Sequence, residues 1–477
     1  LEAVVKAKLL EVPGPPRAPL VGNVPQVYKR KVFDTFNQLA KQYDGIYQMI
    51  FPGAQLYIVY KHAYVQELLD ENRFGKAVTG SLAEISRLSG NGLFTAENDD
   101  PVWLTAHRIL MPSFSMKNMR DYVAIMNVVA RELVDKWSQR IGQDLDISAD
   151  MTRYTLETIG RCGFNFSFNS FQSEDLHPFI DAMNRSLDYA LRRTHLLPIQ
   201  KKLAFQSNRI FAQDCALMNE TVDLIIKDRE REIAKGTAPE RPDLLDRMLR
   251  GSDPTSGEKL DAINIRYQLI TFLIAGHETT SGLLSFTLYF LAKHPDVFEK
   301  AREEIDSLMS GTDDSSVGIG EISRMRYLTQ ILKEALRLYP TAPGFLVRSS
   351  KEEALGGTYR LNANQTCFVL LHELHRDPEV WGPDAEEFRP ERFAPDRMSH
   401  IPSTAFRPFG NGARSCIGQN FAVLEATVVL AFIIQNFDIV DRHNYTLSIG
   451  ETLTIKPENF YLQVRARERP GQRRSVS

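Results

Sequence analysis

Eleven residues, PFGNGARSCIG from Pro408 to Gly418, set one reactive atom, the Cys416 sulfur, among Gly410, Gly412 and Gly418. Glycine at this density lets backbone pass close to something flat or bulky and lets several N–H groups turn toward one point. Backbone donors and the nearby Arg414 are expected to lower the thiol pKa, and a thiolate is a strong metal ligand. A lone cysteine is more often a small buried hydrophobe. The ordered series Phe409, Gly412, Arg414, Cys416, Gly418 weighs against that reading.

A second group is AGHETTS, Ala275 to Ser281. An acid and an alcohol, Glu278 and Thr279, are costly in so apolar a helix unless paired or wetted. A threonine hydroxyl bonded to its own helix is the bland case. Ala275-Gly276 just before them offers a side-chain-poor groove where a small molecule could lie against backbone. Glu334 and Arg337 sit three apart on one helix face, a spacing whose exposed ion pairs are worth only about 0.3–0.5 kcal/mol. Arg392, in FRPERF, would turn that pair into a trio. Trp103 and His107 share a face at i and i+4, with no second histidine at ligand spacing.

These groups need positioning elements. Pro13 to Pro19 reads as a stiff entry without a helix. Phe33 to Tyr43 has helical spacing, YQMIF and QLYIVY read as strands turned at Pro52-Gly53, and a helix follows through Leu69. From Asp121 to Arg231 the pattern is long amphipathic helices broken near 142–144, 167–173 and 197–198. Lys235 to Glu258 and Ser310 to Gly320 read as exposed connections. Strands are expected again at YRL, TCFVLL, YTLSI and FYLQV. Arg465 onward is basic, with proline and glycine, and reads as a linker stub or disordered tail.

A chain of 477 residues is several domains or one large cofactor-centred domain. Hydrophobic content of 43% and charged content of 25% exclude a disordered chain, and a net charge of −3 gives no reason to expect nucleic acid. Cys162, Cys215, Cys367 and Cys416 are widely spaced without a CxxC pair, which argues against a zinc site or disulfide framework and fits a reducing cytoplasm. LEAVVKAKLL is too short and charged to span a bilayer or act as a signal peptide. Thr271 to Ala292 approaches spanning length, but His277 and Glu278 make it a buried helix with a functional polar insert. No transmembrane anchor is expected.

The Cys416 loop closely resembles the haem-ligand loop of the cytochrome P-450 family, the haem-thiolate monooxygenases. The resemblance runs from about Phe33 to Leu462, through GNGLFT (Gly90 to Thr95), DMTRYTLETIGRCGFNF, NIRYQLITFLIAGHETTSGLLSF and ETLTIKPENF. It is nearest to haem domains of self-sufficient fatty-acid hydroxylases fused to a flavin reductase. It implies a mainly α fold with a smaller β region, with 1–12 an extension, 13–464 the haem domain and 465–477 the tail. It also implies haem b on Cys416, with Phe409, Arg414, Trp103, His107, Lys76 and Leu93 around it. His107 stands where arginine is common in the family. Glu278 and Thr279 would deliver protons during dioxygen activation, and Glu334, Arg337 and Arg392 would form a buried structural network.

By the same resemblance Leu82, Ile85, Ser89, Phe94, Leu187, Ala275, Ala342 and Leu453 line a pocket suited to an alkyl chain. The implied reaction uses O2, with electrons from NADPH through FMN and FAD on a reductase rather than on this chain. Arg108, Lys117 and Arg120 would suit docking of an acidic flavodoxin-like partner. Two alternatives are a haem-thiolate hydroxylase that uses peroxide directly and a non-catalytic haem sensor or carrier. One departure matters. Ala54 and Ile58 stand where such hydroxylases place an arginine and a tyrosine that grip a carboxylate, which leaves a weaker grip, another basic residue or a different lipid-like substrate open.

Overall fold

The apolar run from Thr271 to Ala292 lies within a 32-residue helix, Ala262–Lys293, the central helix. Asp261 caps it by accepting a hydrogen bond from the Asn264 N–H, which satisfies one of the orphan donors of its first turn. Most of its residues are buried on every side, as a helix without a polar face must be. Against it pack Ile147–Phe164, Arg326–Leu338 and Gln419–Asn436, so its middle lies at the centre of the main core. The computed structural model describes residues 9–27, 31–173, 175–194, 196, 198–238, 242–309 and 316–467.

Gln419–Asn436, the C-terminal helix, is the one helix among the described residues long and apolar enough to cross a membrane, rather than 271–292. It is a core helix, with Phe421, Val428, Leu430 and Ile434 all buried.

The long-helix reading of the middle holds: Met116–Ser138, Ile147–Phe164, Pro178–Thr194, Pro198–Leu203 and Phe205–Lys235 follow in order. The expected exposed connection after Lys235 is corrected in one place, because Leu244–Arg250 is a helix with Leu244, Leu245 and Met248 buried. Asp243 caps it, and the buried Arg229 guanidinium bonds both oxygens of that cap at 2.8 and 2.6 Å. Part of the second expected connection, 310–315, lies outside the described residues. Its end forms a short helix, Ile319–Ile322.

The β region is mainly one five-stranded sheet in the order Ile46–Phe51, Ala54–Val59, Thr366–Leu370, Gly344–Arg348, Gly75–Lys76. Only the Ala54–Val59 and Thr366–Leu370 pairing is parallel. Gly53 at φ +78° makes the turn between the first two strands. YTLSI is corrected: it is irregular until Ile449–Glu451, which pairs with Ile455–Pro457 as a hairpin against the central helix.

Ordered structure continues on both sides of the expected 13–464 unit. Leu10–Glu11 pairs with Tyr359 and Arg360, and Val12 is buried in the sheet's core. At the other end Tyr461–Ala466 is a strand, and Arg467 forms an ion pair with Asp306. The rest of the tail, 468–477, lies outside the described residues.

Candidate active site

Cys416 follows a short 3-10 turn, Gly412–Arg414, and precedes the C-terminal helix. Its N–H bonds Phe409 O at 2.8 Å, closing the loop. Gly412 has φ +58°, a conformation that strains any other residue, and a Cβ there would displace the Glu71 carboxylate. That carboxylate accepts the Ala413 N–H at 2.9 Å, and Asn411 Nδ2 donates to Leu69 O, so the loop is pinned to the sheet side of the molecule.

Cys416 is exposed as a residue, yet burial pushes its thiol pKa up against the opposing pull of the Gly418 N–H. Arg414 does not lower the thiol as its sequence position suggests. Its guanidinium lies over the Trp103 ring at 4.3 Å and bonds the carbonyls of Ala96 and Glu97. On the central helix Ala275 is exposed although both of its turns are buried, and Gly276 and Thr279 are half-buried. The helix is therefore uncovered at Ala275 and partly at Thr279, while Gly276 packs against Ile159. A separate surface cleft of about 660 Å³, lined by Asp146, Arg153 and Tyr461 among others, contains none of them.

One side of the site is rich in cations. Lys76 donates to Phe94 O and sits over the Phe94 ring at 4.9 Å. Burial, with Arg414 adding repulsion, pushes its ammonium down to about 7. Burial likewise pushes Arg414 down to about 10. Trp103 and His107 stack at 5.0 Å beside Arg414, and burial followed by Arg414 lowers the His107 pKa. The nearby Glu97 carboxylate pairs with Arg348 at 3.3 Å. Glu97 and Asp100 only partly offset the burial of these two cations, which leaves them short of negative charge that a haem would supply as two propionates. An exposed Cys416, a helix uncovered at Ala275, and this cation pair together fit haem.

Polar groups that sequence reasoning passed over hold the Gly90–Thr95 segment. Leu93 N–H donates to Gln268 Oε1 at 3.0 Å, Gln268 donates to Asn264, and Asn264 donates to Asn91. A Cβ at Gly90 would collide with the Tyr267 ring at 2.1 Å, and one at Gly92 with Thr271 Oγ1 at 2.3 Å. The two glycines thus let this segment lie directly on the central helix and place Leu93 and Phe94.

Glu278 and Thr279 do not bond each other. Thr279 Oγ1 donates to Ala275 O at 2.9 Å, the bland arrangement. Glu278 is buried and turned to the C-terminal hairpin, where Thr454 and Thr452 donate to Oε1 at 2.9 and 3.2 Å and Lys456 Nζ lies 3.6 Å from Oε2. Burial opposes its charge, but Lys456, His277 and the two hydroxyls outweigh burial and hold the carboxyl below the usual range. Thr452, Thr454 and Lys456 are site residues that sequence reasoning missed. Their alternation in TLTIK was the available signal.

Among the expected pocket residues, Phe94, Ala342 and Leu453 are half-buried. Leu82, Ile85 and Leu187 are buried, and Ser89 spends its hydroxyl on Ile85 O and Thr95. Ala54 is exposed, but Ile58 is fully buried under the Val32–Ala40 helix, away from any mouth. The trio comes together: Arg337 bonds both Glu334 oxygens at 2.7 and 2.8 Å, and Arg392 Nε lies 3.4 Å from Glu334. Of the expected docking cations, Lys117 and Arg120 are exposed, whereas Arg108 is paired with Asp253 at 3.2 Å.

The sequence model of the family described as Cytochrome P450 matches residues 12–464. A Bifunctional cytochrome P450/NADPH–P450 reductase of Bacillus subtilis (strain 168) is 44% identical over 457 residues, covering 96% of this chain and 42% of that protein. One of Bacillus cereus is 43% identical, covering 97% of this chain and 43% of its own length. A self-sufficient cytochrome P450 monooxygenase of Aspergillus terreus is 41% identical with the same two coverages, 97% and 43%. The chain thus spans about two fifths of the length of these relatives.

Proposed function

The chain belongs to the cytochrome P450 family, and we propose that it is the haem-binding part of a monooxygenase acting on a fatty acid or similar long-chain lipophilic substrate. One oxygen atom of O2 enters a C–H bond, and the electrons come from NADPH through a flavin reductase. The reductase partner is supported by relatives whose names join a P450 to an NADPH–P450 reductase. The observation that carries the reading is Cys416, exposed at the end of a glycine-rich loop in a protein whose otherwise buried central helix is exposed at Ala275.

Cys416 would ligate the iron, Lys76, Arg414, Trp103 and His107 would hold the propionates, and Phe409 and Leu93 would pack on the macrocycle. When bound, haem supplies the iron at which dioxygen is reduced and its O–O bond cleaved. The remaining work falls to side chains. Ala275, exposed and with only a methyl group, leaves room beside the helix for a diatomic molecule, whereas the space over Gly276 is taken by Ile159. The Thr279 hydroxyl can rotate from Ala275 O to donate into that space. Glu278, held ionised beside Lys456, can accept a proton and pass it on, and the Lys456 side chain, 24% exposed, links the acid to water. Phe94, Ala342 and Leu453 present apolar surface to an alkyl chain.

Reduced, haem-loaded protein treated with carbon monoxide should show the red-shifted band of thiolate ligation, and Cys416→His should lose it. A band that survives in the variant overturns the ligand assignment. With a flavin reductase and NADPH, dodecanoate should yield hydroxylated product. Product with peroxide but none with NADPH would instead identify a peroxide-using enzyme.

A further inference from the structure

With Ala54 exposed and Ile58 in the core, the two positions after the Pro52-Gly53 turn provide no group for a substrate carboxylate. We propose that Arg87, Arg193 and Lys201, gathered on the single carboxylate of Glu84, receive it. This inference rests on the fatty-acid reading above.

Glu84 brings three elements together. Arg193 Nε, from the Pro178–Thr194 helix, lies 3.0 Å from Oε2. Lys201 Nζ, from Pro198–Leu203, lies 3.4 Å from Oε1, and Arg87 Nη1, one turn along the Ser81–Ser89 helix from Glu84, lies 3.3 Å from Oε2. The sequence holds no aspartate or glutamate between Asp188 and Asp214. Those two acids are engaged in turn by Arg192 at 2.8 Å and Arg185 at 2.6 Å. Five cations therefore face three carboxylates, and the surplus falls on the Glu84 group.

The surroundings raise the worth of that surplus. Glu84 and Arg193 have side chains only 14% and 17% exposed, and the Arg87 guanidinium lies over the Phe211 ring at 4.9 Å. Apolar cover of this kind strengthens an ionic contact relative to one in open water. Placement fits as well. Leu82 and Ile85 are buried from a neighbouring face of the helix that carries Glu84 and Arg87, and Leu187 from the helix that carries Arg193. An alkyl chain lying along those apolar side chains would bring an anionic head to these cations, where it exchanges with Glu84 or shares its partners. Arg87 and Arg193 also bond Tyr189 Oη at 3.0 Å and Asn208 Oδ1 at 3.1 Å, neutral acceptors that leave their charge uncancelled.

The test uses haem-loaded protein and two ligands of equal length, dodecanoate and 1-dodecanol, followed by the spectral shift each causes. Arg193→Gln and Lys201→Gln should each weaken dodecanoate about tenfold, the scale of one charge-assisted hydrogen bond, and leave dodecanol within about twofold. Arg193→Lys should restore most of the loss, and added salt should weaken dodecanoate alone. If both ligands weaken alike, the cluster is a staple and the proposal is overturned. It is also overturned if the wild-type protein binds both ligands and the variants bind dodecanoate as well as it does. Wild-type protein that binds neither ligand overturns the fatty-acid reading, and this proposal with it.

Discussion

The Lys456 ammonium lies 3.6 Å from the Glu278 carboxylate, so the acid of the central helix is held ionised by a strand of the C-terminal hairpin. The same hairpin carries Thr452 and Thr454 to Glu278, with the half-buried Leu453 between them. Its three-residue strands therefore join the acid proposed to handle protons, a residue proposed to face substrate, and solvent.

Lys456→Met removes the cation that offsets Glu278's burial. In the wild type the lowered carboxyl contributes stability at pH above the ordinary glutamate range, and this is lost only as pH falls through the depressed value. In the variant burial dominates and the carboxyl titrates high, so stability drains away as pH rises. The variant should match the wild type most closely near pH 5 and be about 1–3 kcal/mol less stable at pH 8, the scale for a buried acceptor that loses a partner. Urea unfolding at the two pH values measures this. An equal gap at both would show that Lys456 does not set the charge of Glu278.

What could be read beforehand was local. The Cys416 loop and AGHETTS declare themselves because glycine spacing and a polar insert in an apolar helix are written within a few residues. Glu278's partners lie 174 and 176 residues away and share no local pattern with it. The Leu244–Arg250 helix hid in a segment rich in charge, glycine and proline. Its apolar residues are held by the buried Arg229 and Asp243 pair, which only the tertiary structure brings together. Strands of two residues, such as Leu10–Glu11 and Leu145–Asp146, are too short to show alternation.

Glu451 gives a second pH signature with a different origin. Burial pushes its carboxyl up to about 7, against the pull of the Phe33 N–H, with Asp34 raising it further and Lys31 opposing. Its two oxygens each lie 3.1 Å from Phe33 N, at the start of the Val32–Ala40 helix. A carboxyl raised in the folded state binds its proton more tightly there than when unfolded. Stability on this account is greatest below the ordinary glutamate value of about 4.3, declines as pH rises, and levels off above about 7. Glu451→Gln keeps an acceptor for Phe33 and should flatten that decline. Melting temperatures at pH 5, 6 and 8 check it, and an unchanged slope would remove Glu451 as its source.

Ile58 is fully buried between the sheet and the Val32–Ala40 helix, packed with Phe36, Tyr47 and Leu370. Ile58→Tyr should therefore cost about 1–3 kcal/mol through overpacking. Ala54→Arg, at an exposed strand end, should stay within about 0.5 kcal/mol of the wild type. Denaturant titration of the two variants separates them. A fully stable Ile58→Tyr protein would mean that the position opens to solvent after all.

Lys76 ties haem retention to pH. Its ammonium is pushed down to about 7 by burial and by Arg414, with Glu97 opposing, and the proposed propionate would add a second negative charge. A propionate favours the charged form, so the pKa in the loaded protein is higher and haem binding takes up a proton wherever the empty protein has lost one. The sign follows: affinity for haem is flat below about pH 7 and falls as pH rises between the empty and loaded values. Lys76→Met removes both the attraction and the titration. It should release haem faster than the wild type at pH 6.5, and the difference should shrink by pH 9. Haem transfer to an excess of apomyoglobin, followed at the two pH values, reads the rates directly. A wild-type rate that does not change between them would show that the Lys76 charge is not what the propionate meets.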